Sequence, residues 1–151
     1  MTEMQAAIGR IQLRKLDDWV QKRRFNAKIF DELLGDLKCL RIEKPADNLF
    51  HSYYKYCIFV RPERLAKGWD RDRILQEFAQ SNIPSFSGSC PEIYLESAFN
   101  GTESRPAARL AVARELGETS LQFLVHPTLS SNEIRQVGEE AQKVLARAQS
   151  N

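Results

Sequence analysis

Few side chains in this sequence have the type and spacing to do chemistry. Ser87-Gly88-Ser89-Cys90-Pro91 places hydroxyls beside a thiol, and His51 and His126 are its two imidazoles. A nucleophilic Cys or Ser needs a base in reach, and many such sites use the amide of the following residue as an oxyanion donor. Pro91 has no N–H, so Cys90 lacks that donor. Ser89 escapes this objection, but no glycine follows it at the spacing of a nucleophile elbow. A Cys90 hydrolase therefore ranks behind every other reading, and no catalytic residue is assigned. Metal binding has no better support. The two histidines stand 75 positions apart, and Cys39, Cys57 and Cys90 show no CxxC spacing, so no ligand set presents itself. His126, before Pro127 at a strand end, reads as a backbone-fixing residue. A ligand reading remains for the stretch Ser87–Tyr94. There Ser87, Gly88 and Ser89 offer amides and hydroxyls to an anionic or polyhydroxylated ligand, although no G-x-G-x-x-G or P-loop pattern is present.

Composition narrows the partners. The chain has 151 residues, 42% of them hydrophobic, which is enough for one domain with a proper core. Lys plus Arg number 22 against 20 Asp plus Glu, a balance that argues against a dedicated nucleic-acid binder. The basic series Arg10, Arg14, Lys15, Lys22, Arg23, Arg24 and Lys28 reads as a solvated helix face, with phosphate binding as the alternative. No apolar run reaches the ~18 residues that a membrane span needs. The N-terminus lacks the pattern of a signal peptide, and the three unpatterned cysteines suit a reducing cytoplasm.

The elements that must position these residues follow from periodicity. Thr2 and Gln5 have capping-box spacing, and Met4, Ile8, Ile11, Trp19, Phe30 and Leu34 recur as one stripe up to a stop at Gly35. This predicts a single helix about 50 Å long, against a domain diameter of roughly 38 Å, so the helix overhangs its own domain. Phe50–Val60 reads as a strand, and Asp70 caps a helix whose inner face is Ile74, Leu75 and Phe78. From Ile83 to Glu103 the pattern is lost, apart from room for a short strand. Ser104–Leu116 reads as a helix closed by Gly117. Leu121, Phe123 and Val125 alternate as a half-buried strand. Ser130 and Glu133 form a second capping box, ahead of Ile134, Val137, Ala141, Val144, Leu145 and Ala148 on one face. That order is α+β, a two-layer α/β sandwich.

Beyond this the residues resemble a known family. Thr2-Glu3-Met4-Gln5-Ala6-Ala7-Ile8-Gly9, continued by Gln12-Leu13 and Lys15-Leu16, looks like a hallmark of the DegT/StrS-type pyridoxal-phosphate-dependent sugar aminotransferases, which act on keto groups of nucleotide-linked sugars. Arg24 and Ala27, His51-Ser52-Tyr53 through Tyr56, Arg71-Asp72, Ile83-Pro84 and His126-Pro127-Thr128-Leu129-Ser130 follow in the family's order. The resemblance covers nearly the whole chain but well under half of a full family member. It departs at Phe123-Leu124, where the family has Leu-Pro. It departs again at Phe86–Tyr94, where many members carry a His-Tyr-x-Pro-x-His-type loop that contacts the sugar nucleotide.

The resemblance implies a small C-terminal domain of the aspartate-aminotransferase-like fold, with a small, mainly antiparallel sheet over residues 38–151. Residues 1–37 form a long helix that joins the domains and lies near a dimer interface, so a homo-oligomer is expected through it. Ser87, Gly88, Ser89 and Glu92, with His51, Tyr53 and Lys55, are the expected contacts to a nucleotide sugar. The Schiff-base lysine, its partner aspartate and the aromatic that stacks on the ring belong to a large domain absent from this chain. Pyridoxal 5'-phosphate is thus expected in the full-length enzyme and not on this chain alone, which is expected to be inactive by itself. A sugar dehydratase using the same cofactor with the lysine replaced is one alternative. A non-catalytic dimerisation module built on the Met4–Ile11 face is another.

Overall fold

The computed structural model describes residues 1–88 and 90–150. Thr2 caps α1 (Glu3–Leu13) through the expected reciprocal bonds with Gln5. The ladder then breaks at Arg14–Lys15, where the Lys15 amide bonds back to Gln12 over a shorter span, and α2 (Leu16–Leu34) begins. The single predicted helix is therefore two. The apolar stripe divides with it. Phe30 and Leu34 are fully buried, whereas Met4, Ile8 and Ile11 are half exposed or more and α1 buries nothing.

The sheet runs β1 (Leu40–Arg41), β2 (Tyr56–Val60), β4 (Ser120–Phe123), β3 (Ser85–Ser87), with every neighbouring pair antiparallel. Tyr56, Ile58, Val60, Leu121 and Phe123 point to a helical layer made by α2, α3 (Arg71–Gln80) and α5 (Ser131–Ala148). Phe30 of α2 stacks between Tyr56 and Phe123, with centroids 5.1 and 5.0 Å away, and Phe78 of α3 meets Phe123 from the side. α2 and α5 approach closely at Gly138, where a β-carbon would collide with Leu33. The caps at Asp70 and Ser130 form as expected, the latter as a full capping box. The fold is α+β, a helical layer on a small antiparallel sheet.

Two boundaries and one burial pattern differ from the sequence reading, each for a tertiary reason. Residues 50–55 are not strand, because Tyr53 has φ 47° and a left-handed residue cannot continue a pleated ladder. The helix expected from Ser104 starts only at α4 (Ala111–Thr119) and carries Gly117 inside it. Arg109 and Leu110 are drawn off by side-chain bonds to Glu92 and Tyr94, which hold Leu110 extended. β4 is buried on both faces and not one. Its second face is partly covered from the α4 side, where Glu115 of α4 pairs with Arg41 over the outer sheet residue Phe59.

Candidate functional site

The site starts on α2. Arg24 donates through Nη1 to the His51 carbonyl at 2.9 Å while its guanidinium lies 4.5 Å from the Phe50 ring centroid. One residue earlier, Arg23 treats Tyr54 the same way, with a 3.2 Å bond to its carbonyl. Two adjacent arginines thus hold the segment before β2 by backbone bond and ring face together. Within the segment the Tyr53 amide donates to His51 Nδ1 at 3.2 Å, leaving Nε2 as the remaining imidazole nitrogen. The two rings meet edge to face at 4.4 Å, and Tyr53 stacks toward Tyr56 at 6.4 Å. Tyr56 is anchored in turn by a 2.7 Å bond to Asp31, and burial with that bond pushes its phenol pKa well up. The left-handed Tyr53 is the kind of local strain that persists only where its surroundings over-determine it.

His51, Tyr53 and Lys55 come together along a cleft of about 380 Å³ on the outer sheet face, with Tyr54, Cys57, Phe59, Gln122, Pro45 and Glu43 completing its walls. Lys55 Nζ donates to Gln122 Oε1 at 3.2 Å and lies 5.4 Å from the Phe86 centroid. Gln122 Nε2 donates onward to Cys57 Sγ at 3.3 Å. The cleft therefore presents a cation, an imidazole, aromatic edges and a carboxylate, which suits a ligand with hydroxyls and an anionic group.

Phe86 connects this cleft to the second predicted group. Ser87 ends β3 and is exposed. Gly88 sits so close to Ser120 that a β-carbon would fall on its hydroxyl, and its N–H already donates there at 3.0 Å. The Gly88 amide is thus spent inside the fold, whatever the Ser87 hydroxyl does. Ser89 lies outside the described residues. Glu92 stands apart from the cleft. Both its oxygens take bonds from Arg109, and Oε1 also accepts from Tyr94 Oη at 2.7 Å. Those donors pull its carboxyl down to about 2.

Cys90 is exposed and bonded to Glu96 at 3.4 Å, and that contact raises its pKa, the opposite of what an activated thiol needs. His126 folds back on Thr128 at 2.7 Å, a local turn contact. Among the described residues no three His, Cys, Asp or Glu side chains gather as a metal site. No described helix is long and apolar enough to cross a membrane. A larger cleft of about 640 Å³ lies between α4 and the end of β2, but many of its charges pair with one another, Arg41 with Glu115 and both Arg109 and Arg114 with Glu118.

Sequence reasoning missed the parts played by Arg23, Gln122 and Glu43. Gln122 was legible in principle, since its alternation with Leu121 and Phe123 puts it on the opposite sheet face. Glu43 and Arg23 reach the site only through tertiary structure.

A sequence profile of the DegT/DnrJ/EryC1/StrS aminotransferase family matches residues 1–142. The chain belongs to this family. Among its relatives, the dTDP-4-dehydro-2,3,6-trideoxy-D-glucose 4-aminotransferase of Saccharopolyspora spinosa is 29% identical over 95% of this chain and 34% of its own length. The GDP-perosamine synthase of Escherichia coli O157:H7 is 23% identical over 89% of this chain and 34% of its own. The X-ray structure of the aminotransferase from Psychrobacter cryohalolentis superposes with a TM-score of 0.92 at 43% identity, covering 98% of this chain and 40% of that one. The chain thus spans about a third to two fifths of the length of these family members.

Pyridoxal phosphate is the cofactor of the DegT family, and the lysines here do not fit it. A lysine that condenses with the cofactor is activated by desolvation or by a neighbouring cation. No described lysine is buried. Lys22 and Lys55 are half-buried, bonded to Ser131 and Gln122, and the others are exposed.

Proposed function

We propose that this chain is the small C-terminal domain of a pyridoxal-phosphate-dependent aminotransferase acting on a nucleotide-linked keto sugar in amino-sugar and polysaccharide biosynthesis. The observation that carries the reading is the family match over residues 1–142 in a chain that spans only 34–40% of its relatives. In this role residues 1–37 join the small domain to the cofactor domain, and residues 38–151 supply one wall of the sugar-nucleotide site. The cofactor itself would supply the electron sink for amino transfer. This chain's residues bind and orient. Lys55 offers a cation to the diphosphate, and His51 Nε2 and the Tyr53 hydroxyl offer polar partners to sugar or phosphate. Phe86 reaches the cleft from β3, and Ser87 and Gly88 follow it at the strand end, with Ser87 opposite Leu121 and so turned to the other sheet face. With no lysine fit for the cofactor, the chain is inactive on its own.

The same reading makes the exposed Met4–Ile8–Ile11 face of α1 a dimer contact, and sets the protein in the cytoplasm, where its unpaired Cys39, Cys57 and Cys90 stay reduced. Size-exclusion chromatography bears on the first point. Ile8→Asp is expected to shift an oligomer toward monomer, and an oligomer that survives the change sinks that contact.

Titration of the chain with uridine, thymidine and guanosine diphosphates, followed by amide NMR shifts, tests the binding role. Shifts centred on His51–Lys55 and Ser87–Gly88 are expected, and their absence with all three nucleotides overturns it. Mixing the chain with pyridoxal phosphate is expected to give no lysine-dependent visible absorbance band. A band lost in one lysine variant would show that the chain holds a cofactor lysine after all.

A further inference from the structure

Between Cys90 and Leu110 the chain has little regular structure, yet with Gly88 it is fastened to β4 at Ser120, to α4 at Gly117 and Glu118, and across itself by Glu92 and Tyr94. The Gly88 amide donates to Ser120. The Pro91 ring lies against Gly117, at a spot where a β-carbon would strike it. Glu92 receives Arg109 Nε at 2.9 Å on one oxygen and Arg109 Nη2 on the other. Tyr94 Oη donates to Glu92 and accepts the Leu110 amide at 2.8 Å, so one hydroxyl ties both ends of the segment together. Arg109 is itself held to α4 by Glu118, whose same oxygen takes Arg114 Nε at 2.9 Å. The Glu92 side chain is only 12% exposed, and Tyr94 is buried. Apolar anchoring nearby is thin, since Ile93 and Leu95 are both exposed.

We propose that Glu92 and Arg109 are positioning residues, a clamp that fixes the segment from Cys90 to Leu110 in the shape in which it borders the nucleotide-sugar site. The inference rests on the proposed role of that site and moves Glu92 from the ligand to the scaffold. Three donors already occupy the carboxylate, out of about four acceptor sites, and its side chain is only 12% exposed, so Glu92 has little left to offer a sugar hydroxyl. A two-pronged guanidinium–carboxylate pair also fixes direction as well as distance. A loop ordered in advance by such a pair does not have to be ordered again at binding, and that saving appears as affinity.

The test uses the whole 151-residue chain, with Arg109→Ala, Glu92→Gln and the swapped double variant Glu92→Arg/Arg109→Glu. Amide hydrogen exchange reads the loop, and uridine, thymidine and guanosine diphosphates are the binding probes. Arg109→Ala is expected to lose exchange protection at Leu95 and Leu110, to keep it in α2 and α5, and to bind nucleotide about tenfold more weakly. The swapped variant is expected to recover most of both. Protection unchanged in Arg109→Ala overturns the clamp, as does a loss spread evenly through α2 and α5. Glu92→Gln that binds weakly with full protection, beside Arg109→Ala that binds normally, returns Glu92 to the ligand. Wild-type chain that binds none of the nucleotides defeats the loop's ligand role, and exchange protection then still decides the clamp.

Discussion

At the scale of single residues, the molecule spends its polar groups on holding irregular backbone in place. Arg23 and Arg24 do this for residues 50–54, and Glu92 with Arg109 does it for the segment ahead of α4. The Glu92 carboxyl carries the acid signature of that arrangement. Arg109 and Tyr94 contact it, Arg114 adds positive charge, and together they hold its pKa at about 2 against an ordinary 4.5. A folded-state value below the unfolded one stabilises the fold above the unfolded value, and the contribution fades as pH falls through the folded one. The clamp is therefore intact at pH 5, weakens below 4.5 and is lost through about 2. Following the Glu92 side-chain carboxyl carbon by NMR should give a midpoint near 2, and a midpoint at 4.5 would mean that the pair does not form in solution.

At the scale of elements, the caps and the inner helix faces were legible in the sequence, and the irregular segments were not. Thr2–Gln5, Asp70 and Ser130–Glu133 form the bonds that their spacing requires, because a cap is decided within four residues of chain. The start of α4 is decided by Glu92 and Tyr94, more than a dozen residues away, so no local pattern could find it. The left-handed Tyr53 was equally hidden, since its ring and backbone answer to His51 and Tyr56 together. The site was read in part. His51, Tyr53 and Lys55 do share one cleft, whereas Gln122 entered it unannounced. Helix packing allows a direct test at Gly138, where α5 meets α2 without room for a side chain. Gly138→Leu should lower stability by about 1–3 kcal/mol, even though leucine favours helix over glycine. Urea unfolding measures this, and an unchanged midpoint would mean that the helices stand further apart than described.

For the molecule as a whole, the balance between core and overhang matters most. Phe30, Tyr56, Phe78 and Phe123 gather three helices and the sheet around one aromatic centre, so residues from α2 onward have a core of their own. α1 has none, and a helix of 11 residues is marginal in water without tertiary support. Two trypsin-cleavable residues, Arg14 and Lys15, sit at the break where the helical ladder is already interrupted. Brief digestion should therefore clip the chain first at that point and release a resistant core beginning at Leu16, with mass spectrometry reading the new terminus. Initial cleavage elsewhere would show the junction to be protected. The break between α1 and α2 also makes the first helix separable, because α1 has no buried residue and its removal takes nothing from the core.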